Sequence, residues 1–279
     1  MRTKKNIISL KNKTRKNRKI NPSLNVLKVG FHLFGAKEFS GDELLEYNKK
    51  EEERTHDPCL MQNSSWFGNY EVAKSYKTSK NNIYRWNVKV KTNLVNTNEK
   101  NEKFFEFIFT KTKVKLTPSL EFTNEKLKKI KYDHPYLQMS NNEKAFYEFK
   151  FAFGYITLKE QFEFLKFIEY LLVNKCMKIE NRSNSNILTK LREKIYYYNT
   201  NVFFKRKLKY NRLSFYSFDK YGIMNLCKIL KKTNYNITGV YQKNDNSFWF
   251  PDFVVYKMNI TEYILFNPYH NLEYDKKVE

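Results

Sequence analysis

The spacing of apolar residues changes along the chain, and this change most narrows the fold. NIYRWNVKVKTNLV, from Asn82 to Val95, alternates strictly. Ile83, Arg85, Asn87, Lys89 and Lys91 face one way, and Tyr84, Trp86, Val88 and Val90 face the other. That is the signature of a half-buried strand. YITLKEQFEFLKFIEYLLVNKCMKI places Phe162, Leu165, Phe167, Ile168, Leu171 and Leu172 at helical spacing instead, and NILTKLREKI reads as a second helix. Strand patterns return near both ends: LNVLKVGFHLF at Leu24 to Phe34, FPDFVVYKM, and ITEYILFN up to Asn267. ITGVYQK carries Gly239 in a short strand or turn, and FFEFIF, Phe104 to Phe109, is a further strand candidate. GDELLEYNKKEEE reads as a helix with acids toward both ends, and DKYGIMNLCKILKK as an amphipathic helix. Ser64 to Phe67 reads as a short strand, after which Asn69 caps a short helix, Tyr70 to Tyr76. The expected class is α+β, with mostly antiparallel sheets at both ends and a helical insertion between them. The expected divisions are a basic arm at 1–22, a first half-domain at 23–98, a strand plus helical insertion at 99–200, and a second half-domain at 201–279.

At 279 residues and 41% hydrophobic, the chain can build a sizeable core. Its net charge of +23 draws it to anions: nucleic acid, acidic membrane or phosphorylated ligands. The dominance of Lys and Asn among the polar residues resembles the bias of an AT-rich genome, so Lys richness alone is not a functional signal. The first twenty residues carry nine Lys or Arg and no acid, which fits a disordered arm, either one that contacts nucleic acid or directs nuclear import or a solvated tail set by composition alone. No apolar run reaches the ~20 residues of a membrane span. The N-terminus lacks the apolar core of a signal peptide. Cys59, Cys176 and Cys227 are odd in number and widely spaced, so neither a disulfide framework nor a zinc site is expected. The four histidines do not cluster at metal-ligand spacing. An intracellular, reduced setting, cytoplasm or nucleus, follows as the expectation.

Three segments stand out together: FHLFG at Phe31 to Gly35, SSWFGNYEVAKSY at Ser64 to Tyr76, and TEYILFN at Thr261 to Asn267. In this order they resemble the three motifs of the ADP-ribosyltransferase superfamily, in the His–Tyr–Glu clade of diphtheria toxin and the poly(ADP-ribose) polymerases. His32 matches the histidine of the first motif, Tyr76 the tyrosine ending the second, and Glu262 the glutamate that begins the late strand. The resemblance covers Asn25 to Val95 and Tyr235 to Tyr274, and leaves the helical middle outside it. It implies split antiparallel sheets with flanking helices, 23–98 and 201–279 being the two halves of the transferase-like domain. It also implies NAD as substrate. The sequence departs from the family after His32, where Gly and then Thr or Ser give way to Leu33 and Phe34. Ala73 stands where a serine is common. The Glu-x-Glu of the arginine-specific clade is missing, because Ile260 lies two residues before Glu262.

The resemblance implies roles that the chemistry supports. Breaking the nicotinamide–ribose bond passes through an oxocarbenium-like state, as in glycoside hydrolysis. A carboxylate at Glu262 accepts a ribose hydroxyl and stabilises the developing positive charge. Tyr76 and Trp66 stack on nicotinamide. His32 orients the adenosine ribose, and the backbone of Leu33 contacts the nicotinamide amide. The expected activity is transfer of a single ADP-ribose to a protein or nucleic-acid acceptor. The alternative is a non-catalytic, basic nucleic-acid-binding or structural protein on a decayed transferase fold.

Overall fold

The computed structural model describes residues 22–56, 59, 66–97, 101–120, 122, 128, 130–153, 155–177, 188–189, 191–192, 195–196, 216–233, 235–244, 247–248, 255–256 and 260–279. The basic arm at 1–21, Ser64, Ser65 and most of FPDFVVYKM lie outside these residues.

Eight strands form one sheet. They are β1 (Leu24–Leu27), β2 (His32–Lys37), β3 (Trp66–Gly68), β4 (Asn82–Val88), β5 (Thr92–Asn96), β6 (Gly239–Asn244), β9 (Ile260–Leu265) and β10 (Leu272–Lys277). Two short strands, β7 (Ser247–Phe248) and β8 (Val255–Tyr256), pair separately. The order across the large sheet is β1-β5-β6-β9-β3-β2-β4-β10. Every pair is antiparallel except β5 and β6, which run parallel. The sheet is therefore mixed rather than purely antiparallel. β2 joins β3 through a single residue pair, Phe34 and Gly68, whereas β2 pairs with β4 over six residues. Two halves thus meet at a narrow seam.

Strand alternation sends neighbouring residues into two cores. Leu33, Phe67, Trp86, Leu94, Tyr263 and Leu265 form a smaller core with Leu44 of α1 (Gly41–Thr55). Helix α1 starts there because Ser40 and Glu43 make a reciprocal capping box. The opposite face carries a cross-strand row, Trp66–Ile264–Val240–Val95, which packs against the helical block.

That block contains α3 (Glu102–Lys111), α4 (Asn141–Phe153), α5 (Leu158–Val173) and α6 (Tyr216–Leu230). Phe105, Phe109, Phe149, Phe164 and Phe167 are wholly buried in it, each worth about 1.5–3 kcal/mol of burial. The block shares its core with the sheet and does not stand apart from it. Glu148 is buried here. It accepts from Tyr136 Oη at 2.5 Å and from the amides of Ser119 and Leu120 at 2.6 and 3.2 Å. Burial pushes its carboxyl up to about 7 against those hydrogen bonds.

Several sequence expectations are corrected. Phe104 to Phe109 is helical, within α3: Phe104, Phe105, Ile108 and Phe109 all bury on one helix face, a spacing a dense apolar run conceals. The Leu24–Phe34 run breaks into β1 and β2 around Gly30, whose φ of +84° is left-handed backbone that favours glycine. The Asn82–Val95 run also breaks, so Val90 is exposed rather than facing the core with Trp86. Strand β10 had no sequence signal. Cys59 and Cys227 form a disulfide between the segment before β3 and α6, although they lie 168 residues apart in sequence. Cys176 is free and buried. No helix among the described residues is long and apolar enough to cross a membrane.

Candidate active site

The three motif strands lie side by side at the seam. Phe34 of β2 pairs with Gly68 of β3, and Gly68 pairs with Glu262 of β9. Because paired residues share a face, His32, Phe34, Trp66 and Glu262 all project from the same side.

Helix α2 (Tyr70–Ser75) lies over this row. Asn69 caps it by accepting from the Val72 amide at 3.0 Å. Gly68 is what lets it close down, since a Cβ there would stand 2.5 Å from that of Val72. Phe34 meets the Tyr70 ring edge-on at 5.7 Å. Ending α2, Tyr76 is 48% exposed and donates its hydroxyl to Glu262 Oε1 at 3.2 Å. Tyr70 and Lys77 both bond the Glu279 side chain, Lys77 at 2.9 Å, bracing α2 at both ends. The Tyr70 bond is the main reason Glu279 is held below the usual carboxylate range.

Glu262, the third residue of β9, is half-buried and faces Gly68 on one side and Gln242 of β6 on the other. His32 begins β2 and is exposed. Its Nδ1 lies 2.7 Å from Asn87 Oδ1, on the strand position paired with it. With Nδ1–H donated to Asn87, Nε2 is left as an acceptor. Two strand spacings and two residues separate His32 from Glu262, about 12 Å between backbones. The pair can grip the two ends of an extended ligand but cannot pass a proton directly.

Leu33 and Trp66 sit differently. Leu33 is wholly buried in the smaller core, on the face opposite His32. Val88 donates to the Phe31 carbonyl at 2.9 Å, so strand alternation turns the peptide groups of Leu33 toward β4 as well. The peptide groups facing β3 are those of His32 and Phe34. Trp66 is half-buried, packs against the helical core, and lies one row below Glu262.

Sequence reasoning missed Gly68, Asn87 and Lys37. Asn87 becomes visible only once the β2–β4 register is known. Lys37 lies on the reverse face, donating to the Trp66 carbonyl at 2.7 Å with its amine over the Phe67 ring. Burial draws that amine down to about 7. Among the described residues no group of His, Cys, Asp and Glu is placed to hold a metal ion. No protein-family model, curated protein or solved structure matches the chain.

Proposed function

We propose that this protein is an NAD-dependent mono-ADP-ribosyltransferase-like enzyme with Glu262 as its catalytic carboxylate. One observation carries the reading. Motifs from residues 32, 66–76 and 262 occupy three adjacent strands, and the tyrosine of one bonds the glutamate of another. The residues present fit NAD. Tyr76 offers a ring beside Glu262, and the exposed His32 lies on the same face of the sheet, about 12 Å away.

Bound NAD would supply the bond to be broken, between nicotinamide, which leaves with the electron pair, and the ribose carbon that passes to the acceptor's nucleophile. Glu262 accepts a hydrogen bond from a ribose hydroxyl and places negative charge beside the carbon that becomes electron-poor. The Tyr76 hydroxyl holds that carboxylate, and the ring provides flat apolar area at low entropy cost. Asn87 fixes the tautomer of His32, which orients rather than transfers protons. Leu33 serves by packing beneath the site.

The test uses NAD labelled in its ADP-ribose half, incubated with the protein and candidate protein or nucleic-acid acceptors. Transfer of label by the wild type and its loss in Glu262→Gln is the expected result. Equal labelling by both forms overturns the assignment. Salt-sensitive polynucleotide binding without any NAD turnover would favour the non-catalytic alternative.

A further inference from the structure

Two exposed turns meet at the rim of the sheet. The first, Lys28-Val29-Gly30-Phe31, joins β1 to β2; the second, Lys89-Val90-Lys91, joins β4 to β5. They are locked together: the Gly30 amide donates to the Val88 carbonyl at 2.8 Å, and the Val88 amide to the Phe31 carbonyl at 2.9 Å. Gly30 permits the first turn through its positive φ and has open space where a Cβ would be.

Both turns present apolar side chains to solvent. Val29 is 66% exposed, Val90 45% and Phe31 42%. Phe31 meets the Tyr263 ring edge-on at 6.1 Å. Lys28, Lys89 and Lys91 are exposed among them. Residues 22–37 and 72–98 contain no Asp or Glu, so the turns carry a positive field that no acid on these segments offsets.

We propose that these paired turns dock the protein on an anionic lipid surface, Val29, Val90 and Phe31 entering the headgroup boundary while the lysines bind lipid phosphate and carboxylate. Charge complementarity selects an anion, and the apolar tips select which kind. Valine has no flat face on which a nucleic-acid base could stack, whereas aliphatic tips flanked by lysines match an interface that is apolar inside and anionic outside. Lysine stems can follow the tips inward while their amines stay at the headgroups. Attraction of this kind is additive per lysine and fades within a Debye length. The surface would hold the protein on a membrane without spanning it, and this inference does not depend on NAD chemistry.

The experiment is sedimentation of the full-length protein with lipid vesicles. One set is pure phosphatidylcholine; the other contains roughly 30% phosphatidylserine at about 0.15 M salt. Binding to the second set alone is expected. The double variant Val29→Ser/Val90→Ser keeps every charge and alters only exposed side chains, so it should unfold at the wild-type temperature. It should bind at least about tenfold more weakly. Lys28→Gln/Lys89→Gln/Lys91→Gln should lose binding and its salt dependence together. Wild-type binding by the valine variant overturns the proposal, because the attraction would then reside in charge elsewhere, such as the N-terminal arm. Failure of the wild type to bind either vesicle overturns it too. So does loss of polyuridylate binding in the valine variant with vesicle binding intact, which would mark a nucleic-acid surface.

Discussion

Two carboxylates, Glu148 and Glu262, show how differently this chain treats a polar group. Glu148 sits inside the aromatic block, 1% exposed, with Tyr136 and two backbone amides bonded to it. Glu262 stands half-open on a strand beside a seam held by one residue pair, with Tyr76 at the end of α2 bonded to it. Each has a tyrosine. In the block the tyrosine is buried and the carboxylate serves to hold the fold. At the seam the tyrosine keeps half its surface exposed and the carboxylate faces outward. Closed polar groups serve stability, and open ones remain usable by a ligand.

Mutations can break this contrast, starting with the block. Phe149 is wholly buried between Phe105, Phe109 and Phe153, with ring centroids 4.7–4.9 Å apart. Phe149→Ala should cost about 3–5 kcal/mol in urea unfolding. Tyr76→Ala, on an exposed ring, should stay within about 1 kcal/mol of the wild type.

Protonation gives the next effect. The folded state keeps a proton on Glu148 up to about 7, while the unfolded chain releases it near its ordinary value. The native form therefore binds more protons between those pH values, and stability falls as pH rises through that window. The loss should approach about 3 kcal/mol by pH 7 and then level off. Glu148→Gln should flatten this slope in unfolding measured from pH 4 to 8; an unchanged slope would place its origin elsewhere.

A smaller effect is expected at the seam. Gly68→Ala forces a Cβ against Val72, and should cost about 1–3 kcal/mol as α2 lifts. It should reduce NAD turnover more than that stability loss explains, because Tyr76 moves with α2. Tyr76→Phe removes the hydroxyl that holds Glu262. It should leave stability within about 0.5 kcal/mol of the wild type while lowering turnover, most visibly in kcat.

Much of the local structure was legible in sequence. Asn69 marks the start of α2, because capping is written in side-chain type and short spacing. The 3.6-residue apolar stripe marks α5. Other features depend on contacts between distant residues. Phe104 to Phe109 is too densely apolar for period to distinguish strand from helix. Strand β10 is polar at an edge, with Leu272 and Tyr274 as its main inward residues, so alternation scarcely shows. The Cys59–Cys227 bond joins parts that only the folded core brings together. At the candidate site, the residue types of His32, Tyr76 and Glu262 were readable from local motif context. The support for His32 from Asn87 and the room Gly68 gives α2 required register. Leu33 shows the limit most clearly, since strand parity, which the motif does not reveal, turns both its side chain and its peptide groups away from the seam.

The central claim is that Glu262, held by Tyr76, acts on NAD. Its most direct test is nicotinamide release from NAD by purified protein, followed over time for the wild type and for Glu262→Gln, with circular dichroism verifying that both are folded. Steady release by the wild type, reduced at least about hundredfold in Glu262→Gln, is the predicted result. Release at equal rates by the two folded proteins, or none from the wild type, would contradict it.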